Sequence, residues 1–212
     1  MSLKSERLRL LIAGTPCTGK TTIAKRLAEV LEATYIDVAK LIEEEELYSS
    51  IDVERRSLIV NVERAKKFFA HYLREEERVV LDTHVVEIFP RRLITKVIVL
   101  RLHPVLLLKR CLDRGWSLEK SIENALAELL NTCLVDAINV YGEGKVWDVD
   151  CTCCGVEEVL RRVLAAVSGS RGRDSIDWLE RLEGRPELEL LLKLEEARYL
   201  VKDLLKLLGY CR

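Results

Sequence analysis

Five short stretches of the chain are apolar almost throughout: RLRLLIA (7–13), TYIDV (34–38), RVVLD (78–82), KVIVLRL (96–102) and KVWDVD (145–150). Apolar runs of this length, without strict alternation, are the pattern of strands covered on both faces. Between them the apolar positions recur at helical spacing over 20–32, 39–47, 56–76, 104–114, 118–140 and 156–167. Strand and amphipathic helix in alternation predict an α/β fold: a five-stranded parallel sheet between helices, with right-handed crossovers.

The pattern changes after residue 167. SGSRGRDS (168–175) is small and polar and reads as a linker. No strand pattern follows it. Leucines return at helical spacing over 176–183 and 187–208, on either side of Gly184-Arg185-Pro186, with proline near the first turn of the second helix. The expected organisation is a domain over 1–167, a linker over 168–175 and a helical hairpin over 176–212, docked on its own core or on a partner.

The chain's 212 residues suffice for one sizeable α/β core with an appendage. A net charge of −1 predicts neither direct DNA binding nor attraction to a membrane surface. The start, MSLKSER, has no apolar signal core, and no run of eighteen apolar residues occurs, so no membrane association and a cytoplasmic location are expected. The seven cysteines are then expected to be reduced thiols. CTCC (Cys151, Cys153, Cys154) lacks the spacing of a zinc knuckle and a neighbouring histidine, which favours small buried cysteines over a metal site. The absence of glutamine, with one methionine and four asparagines, resembles the depletion of thermolabile residues in thermophile proteins.

Chemistry enters at GTPCTGKTT (14–22), directly after the first apolar run. Gly14, Gly19, Lys20 and Thr21 meet the spacing of a phosphate-binding loop between a strand and a helix, the Walker A arrangement. Loop and helix N-terminal amides bind phosphate oxygens there. Lys20 would reach the β- and γ-phosphates of ATP, Thr21 would ligate Mg²⁺, and Thr22 would contact the α-phosphate. Cys17 stands where many such loops carry a third glycine. Its N–H still serves the cradle, provided its backbone angle is accommodated. Asp82, ending the third apolar run, is placed as the carboxylate that orients the Mg²⁺ shell.

The series GTPxxGKTT, YIDV, LDTH (81–84), IFPRR (88–92) and RGW (114–116) resembles the adenylate kinase isoenzyme 6 family. That is a P-loop NTPase family of small, adenylate-kinase-like nucleoside monophosphate kinases, with archaeal members and a part in small ribosomal subunit assembly. The resemblance covers residue 7 to about residue 166 and leaves the C-terminal helices outside; Asp-x-His is its most specific element. It implies an acceptor-nucleotide lobe over about 37–60 and a very short lid over about 113–123. It implies ATP and Mg²⁺ as cofactors, AMP or a similar monophosphate as acceptor, and a small-subunit ribosomal protein as a partner. It makes Arg114 the lid arginine that contacts ATP, and Arg110, one helical turn earlier, is spaced to face the same site. The acidic stretch AKLIEEEELY (39–48) departs from the family, which often has a basic residue for the acceptor phosphate here. Lys40, Arg55 or Arg56 would have to supply that charge.

Other candidates stay open between function and structure. Asp37 either contacts the acceptor or caps the next helix. His84 either positions a water or couples the metal site to the acceptor, or is a hydrogen-bonded loop residue. His71 and His103 read as structural, and Trp116, Trp147 and Trp178 as packing residues. Three activities follow: an ATP-dependent nucleoside monophosphate kinase with ATPase activity, an ATP-driven assembly switch, or a small-metabolite kinase of the shikimate kinase type.

Overall fold

The computed structural model describes residues 7–52 and 57–207. These residues fall into two compact units, one drawn from Met1–Arg101 with Thr132–Ile176 and the other from Leu102–Asn131 with Asp177–Arg212.

The first unit carries a five-stranded parallel sheet, order β2-β5-β1-β6-β7. Its strands are β1 (Leu8–Ala13), β2 (Thr34–Asp37), β5 (Arg78–Asp82), β6 (Lys96–Arg101) and β7 (Val146–Asp150). Register sets Ile12 and Asp37 level with Asp82, so the carboxyl ends of β1, β2 and β5 finish together. Alternate strand residues feed two cores, as the two-residue period requires. Leu11, Val79, Leu81, Val97 and Val99 face one side, with Phe69 and Leu73 of α3 (Val62–Glu75) and Tyr141 of α6 (Thr132–Tyr141). Leu10, Ile12, Val80, Ile98 and Leu100 face the other, with Ile23 and Leu27 of α1 (Lys20–Leu31) and Val159 and Val163 of α7 (Val156–Ser168). Helices on both faces explain why the strands read as continuous apolar runs.

Two expected helices are shorter than their patterns. The span 56–76 begins helically only at Val62, because Asn61 caps α3 by accepting from Arg64 N at 3.0 Å. Before it, β4 (Ser57–Val60) pairs antiparallel with β3 (Tyr48–Asp52) after α2 (Val38–Glu44). Ile59 and Val60 suit a strand better than a helix start. The span 118–140 breaks at Asn131, whose φ of +58° is left-handed. Asparagine tolerates that conformation, which ends helices.

Residues 168–175 do not hang free. The Asp148 carboxylate of β7 accepts from Ser175 N (3.1 Å) and Ile176 N (2.8 Å), and Asp174 accepts from Asp150 N at 2.8 Å. The polar segment is a strap laid along the last strand.

The second unit is helical: α4 (Pro104–Asp113), α5 (Leu118–Leu129), α8 (Trp178–Leu182) and α9 (Pro186–Leu207). Both α8 and α9 pack on α5, and Leu182 and Leu191 are buried. Pro186 opens α9 after Gly184 at φ +70°, as the leucine pattern and the proline position anticipate. Among the described residues no helix is long and apolar enough to cross a membrane.

Candidate functional site

Strand β1 delivers the phosphate loop at the point where the chain order of the sheet reverses, the usual ligand position of open α/β sheets. Gly14 takes φ +140°, and a Cβ there would lie 2.5 Å from the Leu100 carbonyl oxygen of β6. Only glycine permits that approach of loop to strand. Gly19, at φ +102°, precedes α1 with open space where a Cβ would stand, so its requirement is conformational alone. Cys17 has φ +71° and is buried. The missing third glycine thus marks a position that does adopt the left-handed backbone, at a cost of about 1–2 kcal/mol for a side-chain-bearing residue.

The loop is braced from within. Thr18 donates to Thr15 O through its amide (3.3 Å) and its hydroxyl (2.9 Å), and Lys20 Nζ donates to the same oxygen at 3.1 Å. No side chain caps α1, and its first turn carries no acidic residue. The positive helix end is therefore not answered by a protein carboxylate of its own first turn. Thr22, also in that turn, is exposed.

Asp82 ends β5, buried. Its Oδ2 accepts from Thr21 Oγ1 at 2.6 Å and from the Tyr35 hydroxyl at 3.4 Å. Burial pushes the Asp82 carboxyl above its ordinary pKa, while the Thr21 hydrogen bond and the Lys20 charge pull less strongly the other way. A carboxylate whose ionised form is disfavoured by burial gains from an added cation. Mg²⁺ asks for one or two protein oxygens, completing its shell with water and phosphate. The Thr21–Asp82 pair beside the loop fits that demand. Among the described residues no group of three or more His, Cys, Asp or Glu offers an all-protein metal site.

Tyr35 was not foreseen as part of this cluster. Burial raises its hydroxyl pKa, with the Asp82 and Asp37 charges adding to the effect, so it stays a donor. The available signal was the spacing in TYIDV, since Tyr35 and Asp37 project from one strand face. Asp37 itself accepts from Lys40 N at 3.1 Å and caps α2. This is the capping geometry, and strand register also sets Asp37 beside Asp82. Lys40 is engaged on the surface with Glu44 at 3.2 Å. Arg55 and Arg56 lie outside the described residues.

Past Asp82, Thr83 donates its amide to Ile12 O (3.1 Å), and its hydroxyl accepts from Val85 N (2.9 Å). This turn leaves His84 at an exposed apex, two residues from the buried carboxylate. The IFPRR segment is held structurally. Tyr141 donates to Phe89 O at 3.3 Å, and Lys145 Nζ donates to Arg91 O at 3.0 Å.

Arg110 and Arg114 belong to the second unit. Arg110 is half-buried in the last turn of α4, and Arg114 is the exposed cap residue after it. Gly115, at φ +76°, turns the chain, with Gly115 N donating to Leu112 O at 2.8 Å and Trp116 N to Cys111 O at 3.2 Å. Only Arg114–Ser117 separate α4 from α5, and Lys120 Nζ lies 4.5 Å from the Trp116 ring centroid. Three cationic side chains thus share the apex of one short helical hairpin. His103 caps α4 by accepting from Val105 N at 3.3 Å, and His71 is exposed on α3. Of the CTCC residues only Cys151 is buried; Cys153 is exposed, so that expectation needs correcting for it.

The family described as AAA domain matches residues 10–131. A putative adenylate kinase of Methanocaldococcus jannaschii is 32% identical over 82% of this chain and 94% of its own length. A putative adenylate kinase of Pyrococcus abyssi is 36% identical, covering 81% of this chain and 91% of its own. In fold, the chain is similar to shikimate kinase from Bacteroides thetaiotaomicron, with TM-score 0.53 and 19% identity over 76% of this chain and 98% of that one. The phosphate loop and the Thr21–Asp82 pair lie within the matched span, and the chain belongs to the family of putative adenylate kinases built on the P-loop kinase fold.

Proposed function

We propose that this protein is a cytoplasmic, ATP-dependent nucleoside monophosphate kinase that passes the γ-phosphoryl group of ATP to AMP or a similar monophosphate, giving two diphosphates. The observation that carries the reading is the Thr21 Oγ1–Asp82 Oδ2 contact of 2.6 Å, directly beside a glycine loop bearing Lys20. The names of the relatives favour a nucleotide acceptor, whereas the likeness to shikimate kinase is one of fold alone.

In this mechanism the amides of the loop from Gly14 through Cys17 to Gly19 hold the β-phosphate, and Thr22 the α-phosphate. Lys20 leaves Thr15 O for the β/γ oxygens. Thr21 and Asp82 would hold Mg²⁺, which when bound supplies charge neutralisation on the polyphosphate. An oxygen of the acceptor phosphate attacks the γ-phosphorus as the bond to the β,γ-bridging oxygen breaks, and the electron pair leaves on ADP. The nucleophile is already ionised, so catalysis needs alignment and fixed positive charge rather than a general base. Arg110 and Arg114 are assigned the moving charge, for which a planar, always-charged fork is suited. Asp37 is assigned to the acceptor side, with Arg55 as the cation for the acceptor phosphate. The test is a coupled transfer assay over a panel of monophosphates, run beside ATP hydrolysis without acceptor. Failure of every monophosphate to stimulate ADP formation would remove the kinase assignment.

One observation favours a second reading, an ATPase switch acting on a small-subunit ribosomal protein: His84 stands exposed on a braced turn next to Asp82. An exposed imidazole in that place is suited to orienting a water or meeting a partner. His84→Gly distinguishes the two. ATP affinity is expected to persist, acceptor-free hydrolysis to fall, and AMP phosphorylation to suffer less. Equal losses in both rates, after correction for folded protein, would defeat the switch role.

A further inference from the structure

The buried carboxylate of Glu128 has no part in the mechanism above, yet it sits at a junction. It lies at the last turn of α5, only 1% exposed, and its Oε1 accepts from Leu102 N at 3.1 Å and from Trp178 Nε1 at 3.1 Å. Leu102 leads into α4, whose cap residue His103 packs edge-on against the Trp178 ring, with centroids 5.4 Å apart. Glu128 thus ties together the start of α4, the end of α5 and the start of α8. An ionised carboxylate is costly to bury unless N–H donors satisfy it, so the geometry of these three elements is tightly specified.

This junction is the base of the same helical hairpin whose apex carries Arg110, Arg114 and Lys120. Ten helical residues separate base from apex, about 15 Å at the α-helical rise. A small tilt at the base becomes an ångström-scale displacement of the arginines, and displacements of that size are felt steeply in transfer chemistry. A two-helix hairpin is poorly stabilised by itself. Here α8 and α9 pack on α5, with Trp178, Leu182 and Leu191 buried.

We propose that the C-terminal extension is a positioning element for the arginine-bearing hairpin, with Trp178 and Glu128 as the positioning residues. The extension makes the cations at Arg110 and Arg114 part of a four-helix body, and turnover depends on the hydrogen bond from the Trp178 indole to Glu128. This rests on the assignment of those arginines to phosphoryl transfer.

The experiment uses the full chain with Trp178→Phe, which keeps a ring and removes the donor, beside Trp178→Ala, Glu128→Ala and the conservative Glu128→Gln. Three quantities are read for each: kcat at saturating ATP and AMP, the ADP dissociation constant, and amide hydrogen exchange resolved by segment. Trp178→Phe and Glu128→Ala are expected to lower kcat at least about tenfold, with ADP affinity changed less than about twofold, because the loop around Lys20 is untouched. Exchange should rise over residues 104–129 and stay unchanged over β1 and α1. Glu128→Gln, which keeps an acceptor oxygen, should recover most of kcat. Loss of kcat only in proportion to unfolded protein, or unchanged kcat in Trp178→Phe, would overturn the proposal. If the wild-type protein transfers no phosphate to any monophosphate, the kinase reading fails. The exchange pattern then decides the positioning role alone, and unchanged exchange over 104–129 in Trp178→Ala refutes it.

Discussion

Replacing Gly14 by alanine tests whether the loop is built against β6 as described. The new Cβ would stand 2.5 Å from Leu100 O and 3.3 Å from Leu100 N, both backbone atoms. A carbon–oxygen pair in ordinary contact rests at roughly 3.3 Å, so the overlap is about 0.8 Å. Neither side yields easily. Ala13, next to Gly14, pairs with Val99 of β6, and Leu100 pairs in turn with Val149 of β7. Forcing such an overlap costs about 1–3 kcal/mol, and a non-glycine residue at φ +140° a further ~1–3 kcal/mol. The sum, roughly 2–6 kcal/mol, is a large part of a typical total stability of about 5–15 kcal/mol. At about 2–4 °C per kcal/mol for a chain of this size, Tm should fall by roughly 4–24 °C. Gly19→Ala is the control, because its Cβ meets nothing within 4 Å. Only the backbone contribution of about 1–3 kcal/mol remains, or roughly 2–12 °C. Urea and thermal unfolding of both variants, with the slope of the urea transition checked for constancy, give the comparison. Gly14→Ala no less stable than Gly19→Ala would refute the close approach to β6.

Other expectations follow from the same residues. Lys20→Ala should lower phosphoryl transfer by at least about 10²-fold in a folded protein, since no other cation of the loop serves the β/γ-phosphates; a transfer assay with circular dichroism as the folding control checks it. Cys17→Gly relieves about 1–2 kcal/mol of left-handed strain against an entropic cost of about 0.5–1 kcal/mol, so Tm should hold or rise slightly, and a clear fall would show that burial of the thiol outweighs the strain. Asp82→Asn should weaken Mg²⁺-dependent ATP binding about 10- to 100-fold while raising the nucleotide-free Tm near neutral pH. Because burial raises the folded carboxyl pKa, the wild-type contribution is fully present below the unfolded carboxylate value and is lost as pH rises through the folded one. The stabilisation by Asp82→Asn must therefore vanish in acid, and a gain independent of pH would contradict this origin.

The sheet was legible because its inner strands β1, β5 and β6 are covered on both faces, which writes them as apolar runs. Gly14, Lys20, Thr21 and Asp82 were legible for a different reason. Phosphate binding demands a fixed backbone and a fixed order of side chains, and both leave marks in spacing. The β3–β4 hairpin left no such mark: nine residues, half of them polar, sit in a stretch whose flanks are helical. The break between α5 and α6 depends on one backbone angle at Asn131, with helical periodicity on both sides. Periodicity reports which face of a helix is buried. It does not report a single left-handed residue between two such faces.

The residues that escaped most completely are two other buried acids, Glu128 and Asp148. A charged side chain is read by default as surface, since buried charges are rare unless paired or hydrogen-bonded. Glu128 falls within a helical pattern and Asp148 within the run KVWDVD, and neither place marks the residue as buried. Both organise backbone amides from distant parts of the chain: Asp148 those of Ser175 and Ile176, Glu128 that of Leu102 together with the Trp178 indole. The polar strap over 168–175 reads as a linker on composition, because small polar residues favour connections. The same small residues leave backbone N–H groups accessible, and a buried carboxylate needs such donors. What the composition disclosed was a shortage of side-chain packing, and the structure meets that shortage with main-chain hydrogen bonds to Asp148 and Asp174. The leucines beyond the strap disclosed a buried face without its partner. That partner is α5, the helix that leaves the arginine-bearing turn, so the segment outside the family resemblance packs on the segment to which that resemblance assigns the lid.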